Sequence, residues 1–231
     1  MELNIKKISL GIRHRRTFRI PEIAGGIIDH IVHDDGSPFN LDYYEKTNAI
    51  LDNAGENKGR ILVDKGGENS LVVDVDSVIL NLATEDIDST LKEIKEKYLP
   101  YITKNIHKEF NVKNFNRIGV VYEYEITGEP NHLISKLTNN TFSNAQTGLF
   151  RFSSKEIDQK SQVMQKLLDY KNYLVAIGFD EDTLKAKFDY QFYFQPEIGS
   201  VGDIDFNGFI DESKSKLEVK FLPWLNYEEQ K

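Results

Sequence analysis

The sequence predicts an α+β protein: a mostly antiparallel sheet with a few packed helices, with two similar sub-domains as the lesser alternative. Three observations carry this. First, β-branched runs are bounded by turn residues, as in "GRILVDKGGENSLVVDVDSVILNLA". Second, "TEDIDSTLKEIKEKYLPYITKNIHKEF" has helical spacing, because Ile87, Leu91, Ile94, Tyr98 and Tyr101 fall on one apolar stripe. Third, a strand with a glycine in it precedes a helix twice, as "SLGIRHR" and as "RIGVVYEYE", the arrangement expected of a duplicated unit.

The elements follow in order. Residues 3–20 alternate and hold no helix cap, so they read as a long strand or hairpin. "EIAGGIIDHIV" after Pro21 predicts a short helix, and "HDDGSPFN" a loop. "LDYYEKTNAILDNAG" predicts another helix ending near Gly55. Strands follow over 60–83, turning at Lys65, Gly66 and Gly67. The long helix carries acids at its start and lysines later, as its dipole favours, and Pro100 predicts a kink or split in it. "FNRIGVVYEYEI" is a strand with Tyr122 and Tyr124 on one face, and "EPNHLISKLTNN" a short helix. From 145 onward the chain reads as β, which divides it into an α+β region (1–140) and a mainly β region (141–231) able to form one compact domain.

Composition narrows the function classes. The chain has 231 residues and Cys 0, so disulfides, thiolate metal sites and a cysteine nucleophile are excluded. Its formal net charge is -8, which disfavours duplex binding by the whole surface but leaves room for one basic ridge. The opening "MELNIKKISLGIRHRR" has no apolar core of a signal peptide, and no apolar run reaches the ~18 residues that span a bilayer. A cytoplasmic protein without membrane partners is expected.

Chemistry-bearing residues are sparse. "GDIDFNGFIDESKSKLEVK" places Asp203, Asp205, Asn207 and Gly208 as in a calcium loop, but Lys214 occupies the position of the bidentate glutamate. The same stretch resembles in spelling the Asp … Glu-x-Lys of restriction-like nucleases. With a turn at 212–215, Asp205, Glu218 and Lys220 would share one face of two antiparallel strands and hold Mg²⁺. The third reading takes it as two amphipathic strands with solvated charges, Asn207-Gly208 marking a turn. "IRHRRTFR" is the one basic cluster. On a strand, Arg13, Arg15 and Arg19 share a face and can pair with acids, bind a partner, or grip phosphates.

Weaker candidates complete the survey. His30 and His33 sit near Asp29 without a third histidine in local reach. His107 and His132 are expected on surface helices, and Asp74 and Asp76 on one solvent-facing strand face. Tyr190, Phe192 and Phe194, with Phe188 in line, alternate with Gln191, Tyr193 and Gln195; the aromatic face is either core or a platform for bases. No P-loop, dinucleotide fingerprint or nucleophile elbow is present.

Arg117, Ile118, Gly119, Tyr122 and Tyr124 after the long helix, with Asp203, Ile204 and Asp205 near the end, resemble a family of sporadically distributed, functionally uncharacterised prokaryotic proteins. The resemblance covers about half of the chain. It implies no activity. A patchy distribution implies horizontal transfer, as for mobile-element or anti-phage defence genes.

These observations predict a non-enzymatic binding protein that recognises a protein partner or itself by a sheet edge or surface, with Arg13, Arg15 and Arg19 as one contact and no cofactor. A Mg²⁺-dependent nuclease using Asp205, Glu218 and Lys220 is the enzyme alternative. A nucleic-acid or nucleotide binder using the arginines is the third.

Overall fold

The computed structural model describes residues 2–17, 19–39, 43–45, 60–127, 147–157, 170–180 and 183–225. The strands are β1 (Glu2–His14), β2 (Tyr43–Glu45), β3 (Arg60–Asp64), β4 (Ser70–Asp74), β5 (Ser77–Ala83), β6 (Phe115–Thr127), β7 (Thr147–Ile157), β8 (Tyr170–Asp180) and β9 (Thr183–Ile198). They form one sheet in the order β2-β3-β4-β5-β1-β6-β9-β8-β7, antiparallel throughout. The α+β expectation holds, and the sheet runs unbroken through both predicted regions.

The topology repeats. β1 pairs with β5, the last strand of the meander β3-β4-β5. β6 pairs with β9, the last strand of the meander β7-β8-β9. The two leading strands then pair with each other, and Gly11 falls opposite Gly119. Each meander is followed by a long helical segment. The two topological halves meet between the first helical segment and β6, near 109–114.

The described helices lie on one face of the sheet. α1 (Arg19–His33) packs against β2, β3 and β4 through Ile27, Ile28 and Ile31. α2 (Ile87–Glu93) begins at Asp86, whose side chain accepts from the Asp88 and Ser89 amides. It runs on through a π-helical turn (Ile94–Tyr98), α3 (Leu99–Ile102) and a second π-turn (Thr103–Lys108). Pro100 does not split this segment, because it sits in the first turn of α3 where the hydrogen-bond register has already shifted. The π-turns also move the buried stripe forward, so Ile106 and His107 face inward, both at 0% exposure. The surface placement expected of His107 is thus corrected.

The largest correction lies at 202–221. These residues are helical, not two strands: α4 (Phe206–Lys216), a π-turn (Leu217–Phe221) and α5 (Leu222–Leu225). Phe206, Phe209, Ile210, Ser213, Leu217, Phe221 and Leu225 are buried, a three- and four-residue spacing that continues through the whole segment. This stripe covers β6 and β9: Phe209 stacks on Tyr190 at 5.3 Å and Phe221 on Phe188 at 5.3 Å. Burying side chains of this size contributes on the order of 1.5–3 kcal/mol each. The two long segments run antiparallel, tied by Lys95 to Asp211 and by Lys214 to Asp88 at 2.6 Å. The helix expected to end near Gly55 is contradicted at 43–45, which is strand β2. Its remainder, the helix expected at 129–140 and His132 lie outside the described residues.

Candidate functional site

Strand alternation sorts every side chain to one of two faces. Toward the helices point Ile8, Leu10 and Ile12 of β1, Ile118, Val120, Tyr122 and Tyr124 of β6, and Phe188, Tyr190 and Phe194 of β9, all buried. The aromatic alternation of β9 is therefore core. Over β1, β6, β9 and β8 no described helix packs on the opposite face, which mixes polar and charged residues with Gly11, Gly119, Val121, Leu174 and Ala176.

The register places this open face in rows that cross the strands. One row reads Asp74, Ser77, Arg13, Arg117, Tyr193. The next reads Val72, Ile79, Gly11, Gly119, Gln191, Asn172, and the third Ser70, Asn81, Ser9, Val121, Asp189, Leu174. A fourth reads Ala83, Lys7, Glu123, Lys187. Successive rows are about 7 Å apart along a strand.

Arg13 and Arg117 are directly opposite each other. Arg117 is anchored: Nη1 donates to Tyr193 Oη at 2.9 Å, and the guanidinium lies 5.3 Å from the centre of that ring. Tyr193 Oη donates in turn to Gln191 Oε1 at 2.7 Å, and Gln191 Nε2 to Asp189 Oδ2 at 2.5 Å. Burial pushes the Asp189 carboxyl above its ordinary range, against the opposing pull of the Gln191 bond and the Arg117 charge. Arg13 is exposed, and among the described residues its side chain has no ion-pair or hydrogen-bond partner. In the third row Ser9 Oγ donates to Asn81 Oδ1 at 2.7 Å, and Asn81 Nδ2 to Ser70 Oγ at 2.9 Å. Glu123 is shared by Lys7 (3.5 Å) and Lys187 (3.0 Å). On β1, β6 and β9 the cations of this face, Lys7, Arg13, Arg117, Lys185 and Lys187, are matched by the acids Glu2, Glu123, Glu125, Asp189 and Glu197, so Arg13 beside Arg117 is a local meeting of like charges and not part of a cation excess.

The sequence-predicted sites fare unequally. Of the arginine ridge, only Arg13 stands on the strand. β1 ends at His14; Arg15 turns away to pair with Glu197 at 2.9 Å; Arg19 opens α1, where its side chain lies outside the described residues. Asp205, Glu218 and Lys220 do not converge. Asp205 caps α4 by accepting from the Gly208 amide at 2.9 Å, Glu218 pairs with Lys214 at 3.2 Å, and the Lys220 ammonium lies 4.8 Å from the centre of the Tyr173 ring. Asp205 and Glu218 are about 20 Å apart along the helix at about 1.5 Å per residue, so they cannot share a metal ion. Asp74 and Asp76 belong to the β4–β5 turn, where they accept from the Val75 amide and the Ser77 hydroxyl. His33 pairs with Asp29 at 3.3 Å and His30 packs on Phe110. Among the described residues no group of three or more His, Asp or Glu side chains is placed to hold a metal ion.

A cavity of about 460 Å³ opens on the helix side, floored by Ile118, Phe192, Phe194 and Phe209. Of the acids that line it, Asp205 caps α4 and Glu212 pairs with Lys171 at 2.6 Å, and Asp203 is the third.

Arg117, Gly11 and Gly119 were not singled out as a site by the sequence. Their signal is nevertheless present: Leu10-Gly11-Ile12-Arg13 read forward matches Val120-Gly119-Ile118-Arg117 read backward, the pattern an antiparallel pair brings into register. No family model matches the chain, and no curated protein matches it. Fold and site together define an α+β protein with a helix-covered face and an open, cation-bearing face. No described helix is long and apolar enough to cross a membrane.

Proposed function

We propose that the protein is a non-catalytic binding protein that holds a nucleic acid on the open face of its sheet. The observation that carries this is the Arg13–Arg117 pair. Like charges directly opposite on neighbouring strands destabilise a sheet, and Arg13 has no acid to offset it. A phosphate between the two guanidiniums removes the repulsion and gains charge-assisted hydrogen bonds. Two adjacent guanidiniums in an acidic chain favour an anionic over a neutral partner. Titration of a fluorescent single-stranded oligonucleotide across a salt series tests it. Affinity should fall as salt rises and fall further in Arg13→Glu. No binding at low salt, or equal binding by Arg13→Glu, contradicts it.

A second reading, self-association, is favoured by β7. Among the described strands it lies at one edge of the sheet, residues 149 and 151–155 are exposed, and Leu149 and Phe152 are 65% and 48% exposed. A long apolar edge strand is a template for pairing with another chain. Light scattering should then show a dimer that Leu149→Lys dissociates; a monomer at all concentrations rules this out.

A further inference from the structure

The open face has a shape as well as a charge. Gly11 and Gly119 stand opposite each other at the centre of the β1–β6 pair. Glycine in a strand interior weakens it, and it often marks close approach by a ligand. Neither residue needs a positive φ. A Cβ on Gly11 would meet nothing within 4 Å, so packing does not demand the glycine either. The result is a short trough over Gly11 between two polar rows, closed on the Gly119 side by the Gln191 side chain, whose Cγ lies 3.5 Å from where a Gly119 Cβ would stand. On one side are the guanidiniums of Arg13 and Arg117. On the other is Asn81, whose Oδ1 accepts from the buried Ser9 Oγ and whose Nδ2 donates to Ser70 Oγ, which leaves a second amide proton for an outside partner.

We infer that this trough seats one nucleoside phosphate unit, with the phosphate between Arg13 and Arg117, the base flat on the Gly11 peptide beside the Gln191 side chain, and the base edge toward Asn81. The inference rests on the reading of this face as nucleic-acid-binding and adds to it a position and a requirement for a base. Charge alone would accept any polyanion. The trough, about 7 Å from the arginine row, accepts a flat ring and rejects a side chain grown into it. Both arginines lie at the same end of the trough, which gives a bound unit one orientation.

The test compares a labelled oligothymidylate with an abasic strand of the same length, against the wild-type chain and Gly11→Val. Valine fits the open space and suits a strand, so the variant should melt no lower than wild type. The expected result is that Gly11→Val weakens oligothymidylate binding by about tenfold or more, the scale of one lost base stack, while abasic-strand binding stays within about twofold. Equal oligothymidylate binding by both proteins overturns the trough while the face reading stands. No binding of either strand to wild type overturns the face reading itself. If Gly11→Val fails to fold, the wild-type chain still decides: equal affinity for the abasic strand and oligothymidylate overturns the inference. Thymidine monophosphate then separates the sources, since displacement of the strand by it assigns a free nucleotide and failure to displace assigns a polymer.

Discussion

Arg13 stands directly opposite Arg117 across the central β1–β6 pair, with no carboxylate between them. The sheet therefore carries an unfavourable contact that its fold does not require. Arg13→Thr should raise stability, by a few tenths of a kcal/mol up to about 1 kcal/mol, by removing the repulsion and placing a β-branched residue in a strand. Urea unfolding measures this. Added salt should stabilise wild type more than the variant, because it screens the pair. A loss of stability in Arg13→Thr would mean that the arginine is structural.

Tyr122 and Ser213 join the sheet to the last helical segment. Ser213 Oγ donates to the Ile210 carbonyl at 2.8 Å and accepts from Tyr122 Oη at 2.7 Å. The two truncations should then be unequal. Tyr122→Phe leaves Ser213 still bonded and should cost about 0.5–1.5 kcal/mol. Ser213→Ala strands a buried phenol hydroxyl and should cost about 1–3 kcal/mol. Chemical denaturation ranks them, and the reverse order would contradict this bonding.

Asp205 and Gly208 are coupled. A Cβ on Gly208 would come within 2.9 Å of Asp205 Cγ, so the cap holds only with glycine there. Asp205→Ala should cost about 1 kcal/mol. Gly208→Ala should be neutral or destabilising in wild type, yet stabilising by up to about 1 kcal/mol in the Asp205→Ala background, where only helix propensity remains. Additive effects in the double-mutant cycle would sink the coupling.

His14 and His107 predict an acid sensitivity. Their rings are 6.4 Å apart and buried; His14 Nδ1 donates to the Arg15 carbonyl, while His14 Nε2 and both His107 nitrogens have no partner. Burial holds both pKa values down, that of His107 to about 3, with the neighbouring His14 adding to the effect. The unfolded chain takes up these protons near pH 6.5 and the folded chain does not. Stability is therefore full above about 6.5 and falls as pH drops toward 3, by about 2–3 kcal/mol for His107 between pH 6.5 and 4.5, with His14 adding in the same direction. His107→Leu should flatten this slope in thermal melts; an unchanged slope would assign the acid sensitivity elsewhere.

Much of the fold was legible because period-two and helical alternation report burial directly. The meander over 60–83, the glycine strands and the aromatic core face of β9 follow from it. Residues 202–221 misled because Asp203, Ile204, Asp205 and Phe206 alternate just before a helix, and Asn207-Gly208 spells a turn. The spacing of Phe206, Phe209, Ile210, Ser213 and Leu217 was equally visible, but Ser213 breaks the apolar stripe by residue type; Tyr122, far away in sequence, is what makes a serine suitable there. His107 was misplaced for a related reason: π-turns add a residue per turn, and the sequence does not announce them. The arginine ridge kept only Arg13, since the end of β1 is set by a bulge against β6. Arg117 joined it through register, which local pattern cannot supply.

The central claim, that the open sheet face is the nucleic-acid-binding surface, is tested most directly by amide chemical-shift mapping during titration with a single-stranded oligonucleotide. The account predicts shifts concentrated at Ser9–Arg13, Arg117–Val121 and Asp189–Tyr193, with Gly11 and Gly119 among the largest and Lys95 and Lys214 on the helix side unmoved. Shifts confined to the helices, or no shifts at saturating oligonucleotide and low salt, would contradict it.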